Sequence, residues 1–448
     1  MKREIEERIS GWVRKGDKAL LVSGARQVGK TYIIRKTLED LGVPFCEINF
    51  ILNQQIKRAL DEAEDIKDII GIFKRSSLTP LPEKGSVVFL DEIQAYPDIL
   101  TKIKFLVDEG SFKYVLSGSL LGVELNNVRS LPVGYLTEIK MFPMSLFEFA
   151  RGNGLGEDVL SYLSECFEQK KAVDASTHDK MLNLFYAYLV SGGMPDVVNA
   201  LLRSGSLMEI QETQRNIINL YKGDFSQYES RDRRLRIIEI FDNIPAQLNK
   251  QNLKFVFSYL NKELKFDRYE NSFLWLKDSG VAYPVFDVSE VRPPLLISKE
   301  KNSFKLFMND VGLLNSYYSI MVKQAIFERN ADRLLNLGGL FESFVCSTLK
   351  SNGFEPFYYR SHEMGEVDFL IEKNGKIIPI EVKSGRDYQK HASLNKLLLS
   401  PYAKYLSTPY VLSTDNLEVK GGIVYLPIYM CDLIKRDEES QYRIKIDL

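Results

Sequence analysis

The sequence predicts an α/β protein whose N-terminal part is a parallel sheet with helices on both faces. Two continuous apolar runs, 18–22 and 86–90, have the composition of strands buried on both faces of such a sheet. Helical patterns alternate with these runs up to about residue 150, which is typical of parallel α/β units. The middle of the chain is predicted to be mostly helical, and the C-terminal end to be α/β again.

Length and composition limit the organisation of the chain. Its 448 residues, of which 45% are apolar, are enough for two to four domains with substantial cores. We predict an α/β core at 1–150, a helical lid or linker at 151–204, a helical region with a winged-helix-like module at 205–325, and a second α/β domain at 326–448. The net charge of −1 provides no global attraction to nucleic acid, so DNA binding would need a local basic surface.

The cysteines and the hydropathy pattern indicate a cytoplasmic protein. The four cysteines are scattered and form no CxxC pair, which is typical of structural thiols in a reducing compartment. No apolar run approaches the roughly 18 residues of a membrane span. The N-terminus is predicted to be the start of an amphipathic helix and not a signal peptide, so no membrane association is expected.

The segment between the first strand and the helix that follows it has the pattern of a phosphate-binding loop. Residues 24–31 are Gly-Ala-Arg-Gln-Val-Gly-Lys-Thr, which fits GxxxxGK[ST]. A permissive backbone in such a loop points N–H groups at phosphate oxygens, and the helix N-terminus adds partial positive charge. Lys30 is expected to reach the β- and γ-phosphates, and the Thr31 hydroxyl to ligate Mg²⁺. The residues expected to contact the nucleotide in this loop are Gly24, Gln27, Gly29, Lys30 and Thr31.

Two carboxylates follow the apolar run at 86–90. Asp91 is expected to hold Mg²⁺ directly or through water. Glu92 can orient and deprotonate the attacking water. The alternative is a strand that ends in solvated acids, but the matching loop before it favours a site that binds and hydrolyses a nucleoside triphosphate. Ser117, at the end of the next strand, is predicted to sense the γ-phosphate, with an ordinary turn serine as the alternative.

The middle region has the layout of a winged helix. Two short amphipathic helices are predicted at 252–260 and 267–279, followed by strand-like runs at 281–286 and 303–308. Two helices followed by a two-stranded wing are typical of this module. The second helix offers few basic residues for phosphate contacts, which favours a packing or protein-binding module over DNA contact.

A second group of polar residues lies on a predicted hairpin near the C-terminus. Asn374-Gly375 is a strong signal for a two-residue turn. The register that follows pairs Lys373 with Lys376, Ile371 with Ile378, Phe369 with Ile380, Val367 with Val382, Glu366 with Lys383, and Asp368 with Glu381. Opposed carboxylates are unfavourable unless something compensates, and a bridging Mg²⁺ or Mn²⁺ would do so. Lys383 lies on the same face as Glu381 and can position a water or stabilise developing charge.

This hairpin resembles the core of the PD-(D/E)XK nucleases. In that superfamily an acid on one strand and E-x-K on the next hold the metal that is used to cleave a phosphodiester. Asp368, Glu381 and Lys383 match the pattern, Glu342 matches the acid often found on the first helix, and Gln389 matches a trailing glutamine of some members. The resemblance implies metal ligation by Glu342, Asp368 and Glu381. A nuclease-like domain without cleavage is the alternative.

The chain as a whole resembles the bacterial and archaeal AAA-type ATPases that carry a DUF4143 region. Beyond the two nucleotide motifs, the family-like segments are Ser-Gly-Ser (117–119), Leu-Pro-Val-Gly (131–134), Ser-Gly-Gly-Met-Pro (191–195), Trp-Leu-Lys-Asp-Ser-Gly (275–280) and Asp-Val-Gly-Leu-Leu (310–314). The resemblance implies a P-loop NTPase fold and ATP as the nucleotide. Relatives often carry a basic residue where this chain has Tyr135, so no arginine finger is carried over, and Arg129 is a nearby substitute candidate.

The sequence therefore predicts an ATP-binding and ATP-hydrolysing enzyme that regulates a metal-dependent, nucleic-acid-cleaving C-terminal domain. The alternative is a regulatory ATP switch whose nuclease-like domain is inactive and binds a partner. The expected partners are ATP, DNA, and a protein partner or further copies of the chain.

Overall fold

The computed structural model describes residues 1–119, 134–227, 231–249, 255, 269–331 and 334–436. The chain divides into two compact units, described separately below. The first unit is Met1–Met144 with Asn271–Val281, and the second is Ser145–Glu270 with Ala282–Leu448. This division differs from the predicted 1–150 core, because a segment from the middle of the chain belongs to the first unit. Within the described residues, every helix is too short or too polar to cross a membrane.

The first unit is built on a five-stranded sheet. Its strands are β1 (Ala19–Ser23), β2 (Phe45–Asn49), β3 (Val87–Asp91), β4 (Lys113–Gly118) and β5 (Leu136–Lys140). Their order is β2-β3-β4-β1-β5, and every pair is parallel, so the predicted parallel sheet is confirmed. All residues of β1 and β3 are buried, which is why both strands are apolar without alternation.

Helices surround this sheet. They are α1 (Ile5–Lys15), α2 (Lys30–Asp40), α3 (Gln54–Glu62), α4 (Ile66–Ser76) and α5 (Ile99–Glu109). The buried side chains of α3, α4 and α5 form one apolar core with β2 and β3. Parallel order puts the carboxyl ends of β1, β3 and β4 at one edge of the sheet, where α2 begins.

The second unit combines a group of helices with an eight-stranded sheet. The helices before the sheet are α6 (Leu146–Gly152), α7 (Glu157–Gln169), α8 (Ala175–Ser191), α9 (Pro195–Ser204), α10 (Leu207–Gln227) and α11 (Arg231–Leu248). Helix α12 (Glu270–Asp278) leads into the sheet region, but all of it beyond Glu270 belongs to the first unit. The later helices are α13 (Val311–Asn315), α14 (Ile320–Phe327), α15 (Gly338–Ser351) and α16 (Ala392–Leu398).

The sheet of the second unit is mixed. Its strands are β6 (Ala282–Val288), β7 (Lys299–Met308), β8 (Phe357–Ser361), β9 (Gly365–Lys373), β10 (Lys376–Val382), β11 (Tyr410–Ser413), β12 (Glu418–Lys420) and β13 (Ile423–Pro427). Their order is β12-β13-β11-β10-β9-β8-β6-β7. Strands β6 and β7 are the two predicted wing strands, and they pair antiparallel as a wing would.

The wing strands do not form a separate module, however. Strand β6 also pairs in parallel with β8, so β6 and β7 are part of the C-terminal sheet. The sheet therefore crosses the boundary predicted at 325/326. The physical reason is that an isolated two-stranded hairpin is only marginally stable, whereas joining a larger sheet buries it. The predicted helix at 252–260 lies outside the described residues, and the helix predicted at 267–279 is observed as α12.

The hairpin of β9 and β10 has the predicted register. Lys373 faces Lys376, Ile371 faces Ile378, and Phe369 faces Ile380. Asn374 and Gly375 have φ values of 54° and 70°, as a two-residue hairpin turn of this kind requires. The side chain of Asp368, the residue before Phe369, also links the two strands, because its Oδ2 accepts a hydrogen bond from Val382 N at 2.8 Å.

Candidate functional site

The predicted phosphate loop connects β1 to α2 and has an unusual backbone. Gly24, Gln27 and Gly29 all have positive φ values, of 149°, 67° and 94°. A Cβ at Gly24 would lie 2.2 Å from Met141 O, so no other residue fits there. Arg3 fixes the loop from outside, because its guanidinium donates to Val28 O at 3.3 Å and to Phe142 O at 2.8 Å. No pattern in the sequence indicates this role of Arg3.

The side chain of Lys30 lies over the loop. Its Nζ donates to Gly24 O at 3.0 Å and to Ala25 O at 2.8 Å, and only 8% of the residue is exposed. Lys30 is the first residue of α2, so its ammonium lies where the helix N-terminus also concentrates positive charge. The loop can therefore attract an anionic group.

Asp91 is the centre of a polar cluster at the carboxyl end of the sheet. Thr31 Oγ1 lies 3.1 Å from each of its carboxylate oxygens, and Asn49 Nδ2 donates to Oδ2 at 2.9 Å. Ser117 Oγ donates to Oδ1. Burial raises the pKa of Asp91, and the hydrogen bonds from Ser117, Thr31 and Asn49 oppose that rise. The sequence analysis missed Asn49, although its place at the end of the strand beside β3 could have indicated it.

Glu92 and Ser117 have surroundings that bear on their predicted roles. Glu92 has a left-handed backbone, with φ 56°, and its carboxylate accepts a hydrogen bond from Gln94 Nε2. Gln94 Nε2 also lies 3.3 Å from Ser119 Oγ, so Gln94 links the ends of β3 and β4. Ser117 is fully buried and its hydroxyl is engaged by Asp91. The γ-phosphate role of Ser117 stays a prediction.

The chemistry of this cluster fits Mg²⁺. The groups that converge are the Thr31 hydroxyl and the Asp91 carboxylate, and Mg²⁺ prefers oxygen ligands of this kind. A cation there would also balance the buried charge of Asp91, which is 2% exposed. Tyr135 stands where relatives often carry a basic residue. The Nζ of Lys104 lies 5.5 Å from the centroid of the Tyr135 ring. Arg129 lies outside the described residues.

The second predicted site forms a cluster of four acids in the second unit. We name Glu342, Glu366, Asp368 and Glu381 the C-terminal acidic cluster. Helix α15 supplies Glu342, strand β9 supplies Glu366 and Asp368, and strand β10 supplies Glu381. Burial raises the pKa of Glu342, Asp368 and Glu381. The predicted acids are thus brought together, and a lysine lies among them.

A buried lysine lies inside this cluster. Lys305 Nζ, from β7, is 2.8 Å from Glu342 Oε2, 2.7 Å from Glu366 Oε1 and 3.8 Å from Asp368 Oδ1. Burial lowers the pKa of Lys305, but the three carboxylates outweigh it and raise that pKa overall, so the ammonium is charged. The sequence analysis missed Lys305. The available signal was one lysine inside the apolar run at 303–308.

This arrangement does not fit the predicted metal. The two opposed acids already have cations beside them, because Lys305 Nζ lies 3.8 Å from Asp368 Oδ1 and Lys383 Nζ lies 2.7 Å from Glu381 Oε1. No group of acids, histidines or cysteines arranged to hold a metal is found in the described part of the chain. Lys383 lies beside Glu381, as expected for two residues on the same face, and its pairing with Glu366 stays a prediction. Gln389 donates to Glu418 Oε1 at 3.0 Å instead of joining the cluster.

Family comparisons identify three regions of the chain. Residues 16–150 match the AAA domain family, 182–324 match a domain of unknown function, DUF8612, and 337–431 match a second one, DUF4143. The chain therefore carries an AAA-type ATPase domain followed by a DUF4143 region, and this part of the predicted resemblance is confirmed. The family-like segments at 191–195, 275–280 and 310–314 fall within the DUF8612 match.

Comparisons with individual proteins add little to this. No curated protein matches the sequence. Among solved structures, a Walker-type ATPase of Pyrococcus abyssi is similar at 16% identity with a TM-score of 0.43, covering 70% of this chain and 95% of its own. Cdc6p of Pyrobaculum aerophilum is similar at 15% identity with a TM-score of 0.24, covering 74% of this chain and 95% of its own.

Proposed function

We propose that the chain binds ATP with Mg²⁺ at the loop 24–31 and hydrolyses it. The observation that carries this proposal is the contact of Thr31 Oγ1 with both oxygens of Asp91, each at 3.1 Å. It joins the hydroxyl of the loop to the acid of β3 at one point, as Mg²⁺ ligation requires. The AAA domain match supports ATP as the nucleotide, since a phosphate loop does not contact the base.

Each residue of this site would have a separate role in ATP binding or hydrolysis. The backbone N–H groups of the loop and the Lys30 ammonium bind the β- and γ-phosphates. Thr31 and Asp91 hold the cation, which when bound neutralises charge on the phosphate oxygens. Glu92 accepts a proton from the attacking water, and Gln94 orients the Glu92 carboxylate by donating to it. Asn49 and Ser117 keep Asp91 in position through their hydrogen bonds.

Two substitutions test this proposal. Glu92→Gln removes the base but no phosphate contact, so we expect ATP binding to persist while turnover falls by about 100-fold or more. Lys30→Ala removes charge opposite the phosphates, so both binding and turnover should fall. The measurements are equilibrium binding of a fluorescent ATP analogue and steady-state phosphate release.

Asp108→Asn is the matched control, because Asp108 is an exposed acid on α5 away from the loop. It should bind and hydrolyse ATP as the wild type does. Wild-type turnover by Glu92→Gln would refute the role of Glu92. Unchanged affinity in Lys30→Ala would refute the phosphate site.

For the C-terminal sheet we propose the second of the two predicted roles, which is partner binding without phosphodiester cleavage. The observation that favours it is the buried ammonium of Lys305 between Glu342 and Glu366, where a cleaving site would need a metal. The partner could be a protein, a second copy of the chain or DNA. ATP binding in the first unit would then regulate that interaction.

A plasmid assay separates this role from a nuclease. The wild-type chain is incubated with supercoiled DNA and with RNA, in Mg²⁺ or Mn²⁺, with and without ATP. We expect no cleavage above that of Asp368→Asn, because the ammonium of Lys305 lies between the acids where a cleaving site would hold its metal. Metal-dependent nicking by the wild type that Asp368→Asn abolishes would establish the nuclease instead.

A further inference from the structure

The C-terminal acidic cluster has a cation built into the chain. We propose that Lys305 is the resident cation of this cluster, that it occupies the position a divalent metal would take, and that removing it opens a divalent-cation site. The inference deepens the non-cleaving role proposed above and rests on it. It concerns the second unit alone and is independent of ATP hydrolysis.

The contacts of Lys305 match those of a bound cation. Its Nζ lies within 2.8 Å of two carboxylates, those of Glu342 and Glu366, and Asp368 is the third acid at 3.8 Å. An ammonium has three N–H donors and no acceptor, so carboxylate oxygens are its natural partners. The side chain of Lys305 is 0% exposed, so these contacts are shielded from bulk solvent.

The surroundings of Lys305 keep the ammonium in place. The ring centroids of Tyr358 and Phe369 lie 5.3 Å and 6.0 Å from its Nζ, and aromatic faces attract a cation. On β7 its neighbours Phe304 and Leu306 are buried as well, so the strand cannot turn the lysine outward without exposing apolar surface. The lysine is thus fixed by the sheet.

A metal and this lysine exclude each other. A divalent cation needs carboxylate oxygens at about 2.0–2.6 Å, and the same oxygens of Glu342 and Glu366 already contact the ammonium. Two positive charges at one position in a buried site would repel each other strongly. The wild-type cluster should therefore not bind Mg²⁺ or Mn²⁺.

The cluster would keep enough ligands if the lysine were removed. Glu342 and Asp368 would lose their positive partner at Lys305. Glu381 adds a third acid, and its Oε2 is buried with no hydrogen-bond partner within the described residues. Burial is the largest cause of the raised pKa of Glu381, and the negative charge of Asp368 is the second largest. This effect of Asp368 indicates that the two acids are close neighbours. Three carboxylates are a sufficient oxygen set for Mg²⁺ or Mn²⁺.

Direct counting of bound Mn²⁺ tests the proposal on the full chain without nucleotide. All variants carry Asp91→Asn, so that the site of the first unit contributes no Mn²⁺. In this background we compare Lys305 with Lys305→Met, each with and without the additional change Asp368→Asn. Bound Mn²⁺ is measured by electron paramagnetic resonance during a titration, and folding is checked by circular dichroism.

We expect no tightly bound Mn²⁺ with Lys305 present, about one per chain in Lys305→Met, and none after Asp368→Asn is added. Saturating Mn²⁺ should also raise the melting temperature of Lys305→Met, by about 4 °C at 100 times the Kd. Lys301→Met is the matched control, because Lys301 lies on the same strand but is exposed. It should bind no Mn²⁺.

Two results would overturn the proposal. One is Mn²⁺ bound in the presence of Lys305 and lost on Asp368→Asn, since lysine and metal would then coexist. If the plasmid assay is negative at the same time, only the lysine inference fails and the non-cleaving role stands. The other is a folded Lys305→Met that binds no Mn²⁺.

A second variant covers the case in which Lys305→Met does not fold. Lys305→Met with Glu366→Gln removes one charge of each sign and leaves Glu342, Asp368 and Glu381 for the metal. We expect this variant to fold and to bind about one Mn²⁺. Absence of Mn²⁺ binding in this folded variant would also refute the proposal.

Discussion

At the proposed ATP site, several side chains converge on one carboxylate, that of Asp91. Asp91 is contacted by Thr31, Asn49 and Ser117, which come from three different elements of the first unit. Each hydrogen bond favours the charged form of Asp91 and so opposes the effect of burial on its pKa. These hydrogen bonds therefore favour the anionic form of Asp91 that the proposed Mg²⁺ ligation needs, although burial opposes it.

Asp310 is a second buried acid, and its hydrogen bonds are structural. Its Oδ2 accepts from Gly193 N at 2.7 Å and its Oδ1 from Leu313 N at 3.0 Å. Burial raises the pKa of Asp310 to about 6, although these backbone N–H groups lower it. The ionised form is therefore disfavoured in the folded state relative to the unfolded chain.

This pKa predicts a pH dependence of stability. The contribution of Asp310 to the free energy of unfolding should be greatest below about pH 4 and should decline by about 3 kcal/mol as the pH rises through 6. Asp310→Asn should remove this dependence, and it should cost about 1–3 kcal/mol at pH 5 because one N–H loses its acceptor. Urea unfolding of both proteins from pH 4 to 7 measures the difference. Parallel pH profiles would contradict the prediction.

At the scale of elements, two family-like segments are explained by their contact with each other. The segment 191–195 ends α8 and begins α9, and the segment 310–314 begins α13. A Cβ at Gly312 would lie 2.1 Å from Ser191 O, and one at Gly192 would lie 2.0 Å from Asp310 Oδ1. The glycines are thus required by a close approach of the two chain segments.

We predict that Gly312→Ala destabilises the second unit. The added methyl group would push the two segments apart, at a cost of about 1–3 kcal/mol. Gly223→Ala is the control, because Gly223 lies within α10 with open space around its Cα. That change should stabilise the helix by about 0.5–1 kcal/mol. The two variants are compared by urea unfolding, and equal midpoints would show that the contact is unimportant.

At the scale of the molecule, strand pairing determines what can fold as a unit. Strands β6 and β7 belong to the same sheet as β8 to β13, so the C-terminal α/β region does not begin near 326. A fragment that starts there would lack both the neighbour of β8 and the ammonium of Lys305. The domain boundary therefore affects the electrostatics of the acidic cluster as well as the sheet.

Two fragments test this boundary. We expect the fragment 282–448 to resist proteolysis better than 326–448, because the shorter one leaves buried carboxylates unpaired at a cost of about 3–5 kcal/mol. The shorter fragment should gain stability as the pH falls, since protonation removes the repulsion. Limited proteolysis at pH 5 and pH 8 measures both effects. Equal resistance at both pH values would show that the boundary predicted at 326 is sufficient.

The sequence was enough for the features that local rules control. The loop 24–31 between β1 and α2, the buried strand that ends in Asp91, and the pairing of 369–373 with 376–380 were predicted correctly in position. Each follows from short-range physics: positive φ values at glycine and asparagine, the alternation of a pleated strand, and an apolar run where both faces of a strand are buried. These properties involve residues that are close together along the chain.

Only the tertiary structure decided what neutralises the acidic cluster. The sequence placed Asp368 opposite Glu381 and suggested a metal, whereas the cation is Lys305, from a strand that looked like part of a separate wing. Lys305 and Glu366 lie far apart in the sequence, and the parallel pairing of β6 with β8 brings the strands of both residues into one sheet. No local pattern specifies such a pairing, because it depends on which surfaces fit and bury each other once the whole sheet has formed.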